Sequence, residues 1–272
     1  SMRKKSRLFA VELDSISARI AAKIYPEAQV AHAGFEETNF ADNSFDLVIG
    51  NVPFGQYKVR DKGYDKENFL IHDYFIAKAL DKTREGGIVA VITFKGTMDK
   101  KDSRARAYFA QRADLISAIR LPNTAFKENA GTEVTSDILF FQKRKQPQMN
   151  ALPSWTETSI KDGMEMNRYF IDHPEMVLGK MQLVTGPYGP ESVCLPNDTG
   201  APLSEQLSDI VTKMQGSYVK AEAYQEDKTP LKEENAIRGM EAIREYSYVD
   251  INGKLYFKEG SELVLSLKTG KT

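Results

Sequence analysis

The 272-residue chain has one cysteine, Cys194, and three scattered histidines, His32, His72 and His173. A lone thiol excludes an internal disulfide and any multi-cysteine zinc centre, and a reducing, cytoplasmic setting is the expectation. So few ligating side chains leave no metal site to assign. Long apolar runs are also missing. Stretches such as Ile88–Phe94 fall far short of the ~20 residues that cross a bilayer, so no membrane partner is expected. The first residues, Ser1–Arg7, are polar and basic and do not read as a secretory leader. No GxxxxGK[ST] phosphate loop occurs, which removes NTPase chemistry from the expectations. What remains is ordinary for a globular chain: 41% hydrophobic and 28% charged residues, with a net charge of −1.

That small net charge conceals an asymmetry. Residues 1–145 carry 24 Lys and Arg against 19 Asp and Glu, a balance of +5, whereas residues 146–272 carry 13 against 19, or −6. The front half suits a polyanion and the back half opposes one.

Short apolar runs alternate with amphipathic segments through the front half. Leu8–Val11 reads as a buried strand, followed by a helix capped by Ser15 with Ile16, Ile20 and Ile24 at four-residue spacing. Further strands are predicted at Ala28–Ala33, Phe45–Gly50, Ile88–Phe94, Leu115–Leu121 and Glu133–Gln142, with helices at Phe69–Leu80 and Ser103–Ala113. Strand and helix in this alternation predict an α/β fold with a doubly wound, mostly parallel sheet. Composition shifts at Gln146-Pro147-Gln148, so residues 1–145 are read as one domain and 146–272 as a smaller α+β extension or connector. Within it, Leu203–Lys213 and Glu233–Glu245 read as helices. Tyr248–Phe257 reads as a hairpin turning at Asn252-Gly253.

In open α/β sheets, ligands sit beyond the carboxyl ends of the strands. Three such ends here are polar: Glu12, Glu36-Glu37 and Asn51-Val52-Pro53-Phe54. A strand-end acid can accept from a ribose diol, although a solvated loop acid looks the same in sequence. The last segment says more. Asn51 offers a side-chain oxygen beside a backbone carbonyl, Pro53 stiffens the turn, and Phe54 supplies a flat ring. Such a cup suits the exocyclic amine of a base taken out of its helix. It also fits a strand-ending turn capped by a core phenylalanine, or the amide of a protein glutamine. Lys100, Lys101, Arg104 and Arg106 form a basic cluster that could touch phosphates or simply face solvent. His72 reads as a structural histidine, Lys95 and Asp99 follow a strand towards the cleft, and Cys194 is assigned no role.

With these residues in view, the chain resembles the adenine-directed amino-group DNA methyltransferases, whose signature is Asn/Asp/Ser-Pro-Pro-Tyr/Phe. Phe45–Gly55, FDLVIGNVPFG, is similar to that family's strand and catalytic loop, with Val52 in place of the first proline. FAVELD at Phe9–Asp14 resembles the strand whose acid holds the ribose of S-adenosyl-L-methionine, which maps to Glu12. AGFEE at Ala33–Glu37 resembles the next strand, whose acid contacts the cofactor adenine, so Glu36 or Glu37 is the candidate. Gly86–Asp99 and Leu121–Arg144 are similar to the later strands, so the resemblance covers about Leu8–Arg144. Arg168–Met181 and Tyr246–Phe257 resemble stretches lying between methylase and helicase in very large mobile-element proteins.

The resemblance implies a Rossmann-like methyltransferase fold, S-adenosyl-L-methionine as cofactor, and DNA as partner, with a helicase domain in the same parent polypeptide. Asn51, Val52, Pro53 and Phe54 would be catalytic, Asn51 would also border the cofactor, and Lys100, Lys101, Arg104 and Arg106 would face DNA. The family's glycine-rich loop, which follows its first strand and cradles the methionine end of the cofactor, has no counterpart before Leu8. The expectation is therefore an incomplete methyltransferase domain, weak or inactive by itself. The alternative is a non-catalytic DNA-binding or scaffold module of the same fold.

Overall fold

The computed structural model describes residues 6–149, 151–186, 189–198 and 200–214, together with strand residues 248–251, 254–259 and 262–265. The chain divides into two compact units, Ser1–Ala221 and Glu222–Thr272.

The first unit opens with a parallel pair, β1 (Leu8–Glu12) and β2 (Ala28–His32), joined by α1 (Ser15–Ile24). The helix cap is Asp14, whose carboxylate accepts from the Ser17 amide at 2.8 Å, and not the expected Ser15. Asp and Ser are comparable capping residues, and the one preceding the first helical turn is used. Along α1, Ile16, Ile20 and Ile24 keep the predicted spacing, yet all three are exposed among the described residues.

A four-stranded sheet follows in the order β3-β4-β6-β5, built from β3 (Phe45–Asn51), β4 (Thr83–Phe94), β5 (Ala113–Leu121) and β6 (Ser136–Lys143). β3 runs parallel to β4, while β6 is antiparallel to both of its neighbours. Three strands thus share one direction, and the α/β, Rossmann-like expectation holds. The sheet carries α2 (Ile71–Lys82), the short α3 (Gly96–Asp99), α4 (Arg104–Arg112) and the short α5 (Lys127–Ala130). α2 presses Tyr74, Ile76, Ala77 and Leu80 into a core shared with Val89, Val91, Leu139 and Phe141. Thr83 closes the end of α2 by donating its hydroxyl to the Ala79 carbonyl at 2.7 Å.

β3 and β1 each lack a second strand neighbour among the described residues. They meet through side chains: Phe9 lies edge-on to Phe45 at 5.5 Å and to Phe40 at 6.0 Å. On β3, Leu47 and Ile49 remain exposed.

The expected boundary at 145/146 is not where the chain divides. Beyond it come a hairpin of β7 (Thr158–Lys161) and β8 (Met164–Asn167), the short α6 (Arg168–Asp172), a second hairpin of β9 (Gly179–Gly186) and β10 (Gly189–Pro196), and α7 (Leu203–Lys213), the last as predicted. These pieces bury Trp155, Phe170, Met176 and Leu178 in the core of the first unit. Arg120, wholly buried, fastens the join. It donates to Asp137 at 2.8 Å and to Asp99 at 3.0 Å, and its guanidinium lies 4.1 Å from the Phe170 ring centre. Asn167 adds its backbone N–H to Asp99 at 3.0 Å. Periodicity could not reveal this region, because its strands are short and its apolar anchors are single residues.

In the second unit, β11 (Tyr248–Ile251), β12 (Lys254–Glu259) and β13 (Glu262–Leu265) form an antiparallel meander. The predicted hairpin is its first half. The Asn252-Gly253 turn and the helix expected at Glu233–Glu245 lie outside the described residues.

Candidate active site

β3 ends at Asn51, paired with Ile92 of β4, so the segment after Asn51 leaves the sheet at its carboxyl edge. The Val52 amide donates to the Ile92 carbonyl at 3.0 Å, carrying the ladder one residue further. A proline at this position would have no N–H to give. Val52 is only 5% exposed, whereas the Asn51 side chain is exposed and has no protein partner among the described residues.

The exposure of Phe54 removes one reading of its ring. It is 48% exposed and therefore not a core side chain. Its inner face stacks on Phe94, the last residue of β4, at 5.7 Å between centroids and 29° between planes. Phe94 is itself fixed from two sides. His72 meets it edge-on at 4.8 Å, and a Cβ on Gly96 would fall 2.2 Å from its ring. The ring behind Phe54 is thus held in place, and Phe54 offers a flat, half-exposed apolar face. Phe94 was visible in sequence only as the end of an apolar run.

His72 is fully buried, and neither ring nitrogen has a hydrogen-bond partner among the described residues. Burial pushes its pKa below the usual histidine range, although Asp73 lies 3.8 Å away and pulls it upward. It is a neutral structural ring, as expected. Cys194 is also buried, and burial pushes its thiol up to about 12, so it is inert.

The strand-end acids come together on their own side. Ala33 donates its amide to the Glu12 carbonyl at 3.1 Å, which brings the turn bearing Glu36 and Glu37 beside the end of β1. The Glu12 carboxylate accepts from the Asp14 amide with one oxygen, at 2.9 Å. Glu37 is spent on its own turn, accepting from the Gly34 amide at 3.0 Å. Glu36 lies over Gly34, and its backbone carbonyl receives the Lys78 ammonium of α2 at 3.3 Å. Phe35 packs on Phe75 of the same helix at 5.1 Å. No hydrogen bond or ring contact among the described residues joins these acids directly to Asn51–Phe54.

The basic cluster does not survive as predicted. Arg106 is 0% exposed, donating to the Thr156 carbonyl at 2.8 Å and the Thr97 carbonyl at 3.2 Å. Residues two apart on a helix point to opposite sides, so Arg104 faces out where Arg106 faces in. Arg104 forks onto Asp102 and holds that carboxyl down to about 2. Lys100 pairs with Asp73, and Lys101 lies 3.8 Å from Glu165. Lys95 donates to Ser192 at 3.0 Å, and Asp99 is bound to Arg120, so neither is free in a cleft.

Residues 4–126 match the pattern of the family described as Eco57I restriction-modification methylase. The chain is 31% identical over 158 residues to the defense against restriction protein B of Escherichia phage P1, a match covering 56% of this chain and 7% of that protein. It therefore spans a small fraction of that relative's length. Among solved structures it is similar to a putative class I S-adenosylmethionine-dependent methyltransferase from Listeria monocytogenes, with 19% identity, 54% of this chain, 48% of the other and a TM-score of 0.43. It is also similar to a modification subunit of a putative type I restriction enzyme from Vibrio vulnificus, with 15% identity, 76% and 51% coverage and a TM-score of 0.45.

Proposed function

We propose that this chain, whose residues 4–126 match the restriction-modification methylases, is the larger part of a methyltransferase domain acting on the 6-amino group of adenine in DNA. One observation carries the reading: Asn51, whose carboxamide has no partner among the described residues, and the half-exposed Phe54 ring, stacked on Phe94, lie three residues apart at the carboxyl end of β3. S-adenosyl-L-methionine supplies the methyl group. The Asn51 side-chain oxygen and the Val52 carbonyl accept the two N–H bonds of the amine, turn its lone pair outward, and stabilise the positive charge that grows as it attacks. Phe54 stacks on the extruded base. No general base starts the reaction, because the neutral amine is the nucleophile and its proton leaves afterwards.

The residues present fit one end of the cofactor. Glu12 keeps a carboxylate oxygen with no bond to its own backbone turn, suited to a ribose hydroxyl, and Glu36, or Glu37 with its second oxygen, would serve the adenine side. We assign no group to the methionine end. Among the described residues, the unpaired edges of β1 and β3 and the exposed isoleucines of α1 support the reading of an incomplete domain whose glycine-loop strand belongs against them.

The test is transfer of labelled methyl groups to adenine-containing duplex, in the longest polypeptide its gene encodes. Asn51→Ala removes one preorganised acceptor and should slow transfer by ~10²–10³-fold. Phe54→Ala should weaken base binding by ~1–3 kcal/mol, and Phe54→Trp less. A folded Asn51→Ala protein that methylates at the parent rate would refute the assignment. No transfer by the parent would leave the scaffold reading standing.

A further inference from the structure

The segment between the cup and α2, Gln56–Asn68, was given no role from the sequence. It contains Lys58, Arg60, Lys62 and Lys66 with Asp61, Asp65 and Glu67. In sequence these charges nearly cancel; in the structure one of the three acids, Asp61, is withdrawn from the surface, while Asp65 and Glu67 stay exposed. Asp61 turns inward, where its carboxylate receives the Tyr74 hydroxyl at 2.7 Å and the Lys78 ammonium at 2.9 Å, both from α2. Burial works to raise its pKa, but these two donors outweigh it and hold Asp61 ionised. Asp65 accepts from the Asp61 amide at 2.9 Å, which folds the loop onto itself. Ile71 donates to the Tyr57 carbonyl at 2.9 Å and ties the loop's start to the head of α2.

The cations point the other way. Lys58, Arg60, Lys62 and Lys66 are exposed, and no carboxylate lies within ion-pair distance of any of them among the described residues. Lys58 meets only the neutral Asn68 amide oxygen, at 2.6 Å. Lys58 and Arg60 border a groove of about 440 Å³ that Tyr64, Asp65, Asn68 and Phe69 also line, two cations against one carboxylate. Tyr64 is anchored by donating to Asp81 at 2.7 Å, so this wall is fixed. At the loop's start, Tyr57 is 55% exposed and lies over Gly55, where a Cβ would come within 2.6 Å of its ring. In the chain, Gly55 thus lies between Phe54 and Tyr57, and Lys58 and Arg60 follow within three residues of Tyr57.

We infer that this loop grips the sugar–phosphate backbone of DNA next to the extruded base, with Lys58 and Arg60 as its phosphate contacts, in place of the cluster at residues 100–106. The inference rests on the proposed function, since it places the strand that delivers the base. Charge complementarity selects the occupant: unpaired lysine and arginine on a fixed wall beside exposed aromatic rings match a phosphate chain carrying flat bases.

The test is fluorescence anisotropy of the chain with a short duplex across a range of salt concentrations. Each phosphate contact contributes ~0.9 to the slope of log K against log salt. The double variant Lys58→Gln/Arg60→Gln should lower that slope by ~1.8 and weaken binding at low salt, with the unfolding midpoint unchanged. Lys101→Gln should leave the slope as it was. Duplex binding with an unaltered slope in the double variant overturns the inference but not the methyl-transfer reading. No duplex binding by the parent chain, or displacement of duplex by inorganic phosphate at matched ionic strength, also overturns it. A lowered slope alongside a fully active Asn51→Ala protein would uphold the loop and refute the catalytic assignment.

Discussion

Cutting the chain after Lys145 tests how its core is shared. The truncation removes Trp155, Phe170, Met176 and Leu178, all buried against the four-stranded sheet and its helices. Burial of each such side chain is worth ~1.5–3 kcal/mol, so the four together supply ~6–12 kcal/mol. Whole domains are stable by only ~5–15 kcal/mol. Polar losses add to this: Arg106 loses the Thr156 carbonyl, and Asp99 loses the Asn167 amide while remaining next to Arg120. Residues 1–145 should therefore lack a cooperative urea transition and fixed aromatic circular dichroism. Residues 1–221 should keep the midpoint of the whole chain, because the compact unit ends at Ala221. If residues 1–145 unfold cooperatively at the midpoint of residues 1–221, the core is not shared and the 145/146 boundary stands.

Two further perturbations probe the backing of the cup. Gly96→Ala places a methyl group 2.2 Å from the Phe94 ring, so that ring must shift and the Phe54 stack with it; a loss of ~1–3 kcal/mol in urea unfolding and slower methyl transfer are expected, and an unchanged midpoint would show that the ring is not confined. His72 stays neutral in the folded chain and binds a proton when unfolded, with Asp73 and Lys100 the charged groups acting on it. Stability from this group is complete well above the unfolded pKa of ~6.5 and falls as pH drops below it, by up to ~1.4 kcal/mol per unit. His72→Phe should flatten that part of the urea midpoint's pH profile, and an identical profile would refute it.

The parts of the fold legible in sequence were those with local causes. Apolar runs ending in Glu12, Asn51 and Phe94 located strands, and the spacing in Leu203–Lys213 marked a helix to its ends. The cup was legible because a strand end, a proline and an aromatic ring fall within four residues. What failed were questions of direction. Ser15 and Asp14 are both caps by residue type, and only the backbone decides which one the helix uses. Arg104 and Arg106 look alike in a basic run, but one faces solvent and the other is closed under Thr156. Asp61 lies among Lys58, Arg60 and Lys62 in the chain, in a segment to which the sequence reading gave no role. Its inward turn depends on Tyr74 and Lys78, more than ten residues away. Residues 146–272 read as a separate extension or connector because Trp155 and Phe170 announce no period, although each fills a place in the sheet's core.

Val52 is the strongest sequence argument against a working cup, since the resembling family places proline there. The structure lets the two options be weighed. A proline in a compatible turn stabilises by ~0.4–1 kcal/mol, mainly by restricting the unfolded chain. Val52 gives up that restriction but donates to the Ile92 carbonyl at 3.0 Å, a hydrogen bond worth ~0.5–1.5 kcal/mol. Its side chain, 5% exposed, adds apolar burial of ~1.5–3 kcal/mol, part of which a proline ring would also supply. The sum favours valine or leaves the two equal. Asn51 is consequently held at the end of the ladder by Ile92 of β4, which pairs with Asn51 in register and accepts the bond made by the next residue. The departure from the family's pattern exchanges one source of stiffness for another and leaves the Asn51 carboxamide and the Val52 carbonyl as the two acceptors that the proposed reading requires.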